Sequence, residues 1–390
     1  MSRKKASVNG NFKDIVNTVK FLTERKQFID SAEAVLPTST DDFGVNKVAA
    51  SIHPKIQKLV ISRIEEHSGI AKSYYLKSEA APLAYFKAGQ YLTFRFETGN
   101  AVVTRSYSIA SSPASALNGE YQITVKRISG GFISDYILDN WAVGDKVTAY
   151  APEGNLTYCP LRDAKNIVAV AGGSGITPFL SLARAIAQGD EDCSLTLLYG
   201  CRTSDEILFK AELDSLSEKN EKINVVYVLS HSDEEGYEKG FVGADIIKKY
   251  APEGEYSIFV CGPGDLYKYL ETELPKLKKE KKYIRFEVFS AGKKSEEEPK
   301  EFSIKVINRG NESVIRASSS ETVLCAFERA GIEVPARCHT GECGFCRSKL
   351  VDGKVYIPEG EDKRRIADMQ FNFIHPCCCY PESDLVVRIN

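Results

Sequence analysis

No stretch of this sequence approaches the roughly 18 uncharged apolar residues that a membrane-crossing helix requires, so no membrane insertion is expected. Net charge is also nearly absent. Against 53 Asp and Glu stand 51 Lys and Arg, leaving −2, which gives neither nucleic acid nor an anionic membrane a general reason to bind. The opening MSRKKASVNG is basic but lacks the apolar core of a secretory signal, and a cytoplasmic location is expected. Histidine is scarce too, with five scattered residues. Cysteine is not scarce. In a reducing compartment, the clustered ones among its eleven residues read as metal or redox ligands rather than disulfides.

A chain of 390 residues exceeds one typical domain, and its patterning changes along its length. Residues 11–36 place Ile15, Val16, Val19, Leu22 and Phe28 near helical spacing, and Pro37 ends the run. Residues 1–55 therefore read as a helical extension whose ordinary role is to pack on its own protein. From 56 to 160 come short β-rich runs such as KLVISRIEEH, QYLTFRF and YQITVKRI, broken by Gly, Pro, Ser and Asn, which predict an antiparallel barrel. Between 161 and 289 strands such as NIVAVAG, LTLLYG and YSIFVCG alternate with helical stretches, the pattern of an α/β parallel-sheet domain. Residues 290–301 read as a charged linker, and 302–390 as a compact α+β unit containing the helical ETVLCAFERAG.

That last unit carries RCHTGECGFCRSK, with Cys338, Cys343 and Cys346 spaced C-x4-C-x2-C, and a more distant HPCCCYP. This is the plant-type [2Fe–2S] spacing, in which each iron takes two thiolates and one loop wraps the inorganic core. Gly341 and Gly344 suit such wrapping because glycine tolerates positive φ and close amide approach. Structural zinc would instead favour paired short Cys units. Spacing alone leaves Cys377, Cys378 and Cys379 open as the fourth ligand. His339 and His375 flank ligands, but four cysteines already satisfy the pattern, so both read as supporting or surface residues. Cys159, Cys193, Cys201 and Cys325 read as structural.

Three further motifs precede it. RSYS at 105–108 lies in a predicted strand whose alternation separates Arg105 and Tyr107 from Ser106 and Ser108. A guanidinium suits phosphate, and an aromatic ring can cover a flat heterocycle. GGFISDYI at 130–137 and AGGSGITPFLSLARA at 171–185 each join glycines to a helix start, where free amides favour anions. VCGPGDL at 260–266 ends another strand of the same sheet. After LTLLYG, the run CRTSDEILFK offers Arg202 to a 2′-phosphate, and Asp205 or Glu206 to a 2′-hydroxyl.

Taken in order, RSYS, GGxxS and GDxVxxxxPxG (144–154) resemble the flavin barrel of the ferredoxin–NADP reductase superfamily. Residues 165–289 are similar to its nicotinamide half, and 302–390 to plant-type ferredoxins. The resemblance implies flavin contacts from Arg105, Ser106, Tyr107 and Ser108, and phosphate contacts from Gly131, Phe132, Ile133 and Ser134. It implies that Gly172, Gly173, Gly175, Thr177 and Pro178 line the nicotinamide cofactor with Arg202, Gly262 and Pro263. Cys261 and Glu287 would stand at the reacting edge, with Phe289 near the flavin. In ferredoxins the last ligand precedes a Tyr-Pro pair by three places, which selects Cys377. FAD is expected, with FMN as the alternative, together with a [2Fe–2S] cluster and either NADH or NADPH, with a lean to NADH.

The domain order over 56–390 resembles reductase components of Rieske-type oxygenases. It implies an NAD(P)H-dependent electron-transfer reductase serving an acceptor protein, an oxygenase or another metalloenzyme. A non-catalytic relay subunit is the competing expectation, which the intact AGGSGITP and CGPG segments disfavour.

Overall fold

The protein's structure, a computed structural model, describes residues 12–31, 43–67, 69–79, 82–98, 101–127, 132–288, 298–308, 310–358 and 362–389. By compactness it divides into a leading segment, Met1–Ala49, and a body, Ala50–Asn390. In the leading segment α1 (Phe12–Ser31) occupies most of the stretch read as helical; the end of that stretch, with Pro37, lies outside the described residues. A second helix, α2 (Gly44–Ile52), follows. Among the described residues no helix is long and apolar enough to cross a membrane.

The body opens with β1 (Ile56–His67), β2 (Ala71–Ser78), β3 (Tyr91–Thr98), β4 (Ala101–Ser108), β5 (Glu120–Lys126) and β6 (Lys146–Tyr150). They form an antiparallel sheet in the order β4-β3-β6-β1-β2-β5. Alternation decides which side chains enter its core: Gln57, Leu59 and Ile61 point in, while Ile56 and Lys58 point out. Just past β4, Ile109 bridges Ile123 of β5, and the Ala110 amide donates to the Gln122 carbonyl at 2.7 Å. The sheet thereby curls toward the expected barrel around Leu59, Tyr74, Phe94 and Tyr121. Two short helices, α3 (Pro113–Leu117) and α4 (Phe132–Asn140), fill its connections.

The second domain holds β7 (Asn166–Gly172), β8 (Ser194–Cys201), β9 (Ile223–Leu229), β10 (Glu238–Lys239), β11 (Tyr256–Cys261) and β12 (Ile284–Glu287), all parallel in the order β10-β9-β8-β7-β11-β12. Parallel strands need crossovers, supplied by α5 (Thr177–Gln188), α6 (Lys210–Lys219), α7 (Ala244–Tyr250) and α8 (Gly264–Glu273). Because helices cover both faces, β7 is buried almost end to end, which explains its unbroken apolar run. Chain order reverses between β7 and β11, and open parallel sheets bind ligands outside the strand ends at such a reversal.

The third domain contains β13 (Glu301–Asn308), β14 (Asn311–Ser318), β15 (Ser348–Asp352), β16 (Val355–Tyr356), β17 (Phe373–Ile374), β18 (Tyr380–Pro381) and β19 (Leu385–Ile389). Its mixed sheet runs β14-β13-β19-β15-β17, with only β13 and β19 parallel. Helix α9 (Val323–Arg329) is capped by the Thr322 hydroxyl, which accepts from the Cys325 amide at 3.2 Å, and it buries Val323, Ala326 and Phe327. A short helix, α10 (Ile366–Gln370), lies before the last cysteines. Strand β13 already begins at Glu301, within the stretch read as linker.

Barrel and parallel sheet are joined by a buried carboxylate. Asp163, with no side-chain exposure, accepts from Arg285 Nε at 2.7 Å, Arg162 Nε at 3.2 Å and the Cys159 amide at 3.0 Å. Removing a buried carboxylate strands its partner cation, so Asp163→Ala is expected to cost about 3–5 kcal/mol. Urea unfolding of the variant, followed by far-ultraviolet circular dichroism, checks this; an unchanged midpoint would refute it.

Candidate redox site

The reversal point is built from two strand ends pressed together. After β7 the chain makes a tight turn, Gly173–Ile176, into α5, and opposite it β11 ends in Cys261, Gly262 and Pro263. A side chain at Gly175 would begin 2.1 Å from the Cys261 carbonyl oxygen, so only glycine allows this approach. Thr177 and Pro178 open α5, the Thr177 hydroxyl donating to the Ser174 carbonyl at 3.1 Å. Lys126, at the end of β5 in the barrel, leans toward Gly173 and pairs with Glu206 at 3.1 Å.

Cys261 is side by side with Glu287 in the β11–β12 register. Tyr267 locks the pair: its hydroxyl accepts from the Gly262 amide at 2.9 Å and donates to the Glu287 carbonyl. Burial pushes the Cys261 thiol well above its ordinary value, with the neighbouring Glu287 adding to the shift. Burial likewise holds the Glu287 carboxyl well above the carboxylate range, reinforced by Glu342. Glu287 thus holds its proton more tightly than an exposed carboxyl, and its Oε2 has no hydrogen-bond partner among the described residues.

Strand β4 approaches from the barrel. Its register with β3 places Ser106 beside Thr93, their hydroxyls 2.9 Å apart, and Ser108 beside Tyr91. Arg105 and Tyr107 point to the opposite side, where Tyr107 packs on the barrel core 6.1 Å from the Phe94 ring. The Ser108 hydroxyl is buried and likewise unpartnered among the described residues. A cavity of about 220 Å³ opens here, lined by Tyr91 and Gly154 of the barrel, Glu287 of the second domain, and Cys338, Cys343 and Phe345 of the third.

The cysteine loop closes on itself. Amides of Thr340 and Cys343 donate to Cys338 Sγ, each at 3.4 Å, the Gly341 amide donates to Cys377 Sγ at 3.3 Å, and the thiols of Cys346 and Cys377 are 3.4 Å apart. Gly341 and Gly344 take φ of +79° and +69°, which only the loop's tight winding demands. Cys378 instead donates to the His375 carbonyl at 3.4 Å, and Cys379 sits in the third domain's core. Among the described residues no three His, Cys, Asp or Glu side chains surround a single-ion position. His375, read as a supporting or surface residue, is buried, and its Nδ1 lies 2.7 Å from the Gly341 carbonyl.

The structure therefore brings Glu287, Cys338 and Cys343 to one cavity, with Ser108 paired across the strands to its lining residue Tyr91, and Gly172, Gly173, Gly175, Thr177, Pro178, Cys261, Gly262 and Pro263 to the adjoining strand ends. Ser106 is turned away from Arg105 and Tyr107: its hydroxyl donates to the Arg337 carbonyl at 3.1 Å, because alternation sends it to the face that the third domain covers. Ile133 and Ser134 are buried at the start of α4; Gly131, the Phe132 side chain and Phe289 lie outside the described detail. Arg202 stands apart at the end of β8, exposed and paired with Glu206 at 2.6 Å. Tyr91, Lys126, Tyr267 and the Arg337–Glu153 ion pair were not anticipated. Each acts across a domain or strand junction, which no local spacing records.

These residues fit the expected cofactors. Glu287, with a buried oxygen unpartnered among the described residues, lines a cavity where a Cβ on Gly154 would collide with Tyr91 and Glu287, which suits a flat heterocycle with hydrogen-bonding edges. Four thiols, two of them with amides aimed at their sulfurs, suit an iron–sulfur core. Two outcomes are expected. Cys377→Ser should abolish the cluster's visible absorbance and iron content while Cys378→Ser retains both. For Glu287, whose folded state holds its proton more tightly than the unfolded chain does, stability is lost as pH rises from the ordinary carboxyl range toward the raised value. Glu287→Gln should then gain on the wild type in urea midpoint as pH rises above the ordinary carboxyl range, and a gap that does not change with pH would contradict the burial argument.

Comparison with known proteins agrees with this division. Residues 59–158 match the oxidoreductase FAD-binding domain, 169–272 the oxidoreductase NAD-binding domain, and 306–382 the 2Fe-2S iron-sulfur cluster binding domain. The ferredoxin reductase component of 3-ketosteroid-9-alpha-monooxygenase from Mycobacterium tuberculosis is 31% identical over 320 residues, covering 77% of this chain and 84% of that protein. The glycine betaine monooxygenase reductase subunit of Chromohalobacter salexigens is 26% identical over 342 residues, covering 81% and 91%. Among solved structures, phthalate dioxygenase reductase superposes with a TM-score of 0.66 at 26% identity, over 86% of this chain and 98% of that one. With FAD, NAD(P)H and a [2Fe–2S] cluster as cofactors, this chain is an NAD(P)H-dependent oxidoreductase that passes electrons from nicotinamide through flavin to the cluster. It belongs to the ferredoxin–NADP reductase-like FAD- and NAD-binding reductases that carry a C-terminal [2Fe–2S] ferredoxin domain, the family of oxygenase reductase components.

Proposed function

We propose that this chain is the reductase component of a multicomponent oxygenase in a reducing compartment, drawing on NADH. The observation that carries the reading is the cavity where barrel, parallel-sheet end and cysteine loop meet, since it brings groups of the flavin, nicotinamide and ferredoxin domains to one space. When bound, FAD accepts hydride from the nicotinamide and yields electrons singly, as the one-electron cluster requires.

The chain's own residues hold and shape. Residues 56–160 supply the flavin site, in which Ser108 offers its free hydroxyl and Tyr107 and Arg105 stiffen the strand that presents it. Residues 161–289 supply the nicotinamide site. There Gly172, Gly173 and Gly175 clear the backbone for a pyrophosphate, Lys126 brings positive charge from the barrel, and Thr177 and Pro178 set the first turn of α5. Gly262 and Pro263 border the ring, and the buried Cys261 thiol stays protonated and presents a small apolar wall. Glu287 sets a buried carboxyl, its pKa raised by burial, at the cavity, where it can hydrogen-bond a bound heterocycle. Residues 302–390 hold the cluster through Cys338, Cys343, Cys346 and Cys377.

The preference for NADH is supported by Glu206. It engages Arg202 and Lys126 together, so a 2′-phosphate would have to displace a carboxylate to reach either cation.

Anaerobic titration of the pure protein, followed by visible absorbance, tests the reading. NADH should bleach flavin and cluster bands promptly, and NADPH more slowly; bleaching by dithionite alone would sink the assignment. Glu206→Gln should lower the KM for NADPH by about tenfold while leaving that for NADH nearly unchanged, and an equal shift for both nucleotides would show that Glu206 does not discriminate.

A further inference from the structure

Two hydroxyls join the strand that bears the flavin motif to the loop that bears the cluster ligands: Ser106 reaches only the Arg337 carbonyl before Cys338, whereas Thr104 reaches both sides of that cysteine. Thr104, immediately before Arg105, is buried, and its Oγ1 donates to the Ala336 carbonyl at 2.9 Å. The same oxygen lies 3.0 Å from His339 Nε2. A threonine has one proton to give, so with Ala336 as its acceptor the imidazole must be the donor, carrying its hydrogen on Nε2. The two partners flank Cys338 in sequence, and His339 takes a left-handed φ of +58°, unusual for a non-glycine residue. One side chain therefore grips the ligand loop on both sides of its first cysteine.

The position in the sheet explains why this grip is available. Strand β4 is at the edge of the barrel sheet, and the third domain covers it. Alternation sends Thr104 and Ser106 toward the cysteine loop, while Arg105 and Tyr107 face the other way. Helix α9 reaches the same strand, with Glu328 3.6 Å from Arg105. Arg95 and Glu333, also 3.6 Å apart, add a pair farther along. Of these contacts only that of Thr104 touches both flanks of a ligand.

We propose that Thr104 is a positioning residue for electron transfer between flavin and cluster, fixing the Cys338 loop against the flavin strand through Ala336 and His339. The inference rests on the flavin-to-cluster route given above. In the step it serves, reduced flavin loses one electron and a ferric site of the cluster gains it; Thr104 makes and breaks no bond. Its effect is on distance and on the spread of loop positions, to which such transfer is steeply sensitive.

The test uses full-length holoprotein with Thr104→Val, which keeps the side-chain shape and removes the hydroxyl, and Thr104→Ser, which restores it. In Thr104→Val, flavin and iron content and NADH-driven ferricyanide reduction should stay at wild-type levels. NADH-driven bleaching of the cluster band should slow by about tenfold, less than the roughly hundredfold that a full 1 Å misplacement can cost. Hydrogen–deuterium exchange of the segment 334–340 should quicken, and Thr104→Ser should reverse both changes. Unchanged bleaching in Thr104→Val, or a parallel fall of ferricyanide reduction and cofactor content, overturns the proposal. Failure of NADH to bleach the cluster of the wild type would instead overturn the reductase reading itself.

Discussion

Close approach of three backbones to one point is the constraint on which this molecule's architecture depends. Two strand ends of the parallel sheet meet where Gly175 faces the Cys261 carbonyl, and the barrel contributes β4 with its neighbour Tyr91. The third domain closes the space by laying the residues before Cys338 on β4. Any side chain at Gly175 would push the α5 turn off β11 and open the reversal point. Few substitutions elsewhere in the body would disturb so many elements at once.

Electrostatics follow from that convergence. Packing removes water from Glu287 and Cys261, so both groups hold their protons more tightly than exposed counterparts would. The acidic side chains of Glu153 and Glu342 share the lining, and Arg337 pairs with Glu153 there, while Lys126 pairs with Glu206 at the strand ends. The Arg337 guanidinium also stacks 3.6 Å from the Phe345 ring centre, tying the cysteine loop to the rim of the same cavity.

Legibility in the sequence was uneven for physical reasons. Cys338, Cys343 and Cys346 stood out because one loop must wrap one core, so spacing alone carries the chemistry. The glycine-rich turn after β7 was equally legible, since a strand, a tight turn and a helix start are neighbours in the chain. Strand β14 was not, for its residues are mostly exposed and lack apolar alternation; pairing with β13 makes it a strand. Ser106 was grouped with its neighbours in RSYS, yet its partner Arg337 is 231 residues away.

By itself, then, the sequence determined the order of three modules, the cysteine ligand spacing and the two glycine-rich strand ends, all consequences of short-range geometry and periodicity. Only the tertiary structure decided which of the three consecutive cysteines turns toward the other ligands, which face of β4 meets the third domain, and that burial makes the Glu287 carboxyl hold its proton more tightly. Those outcomes depend on desolvation and on contacts between segments far apart in the chain, and neither quantity is written in the spacing of neighbouring residues.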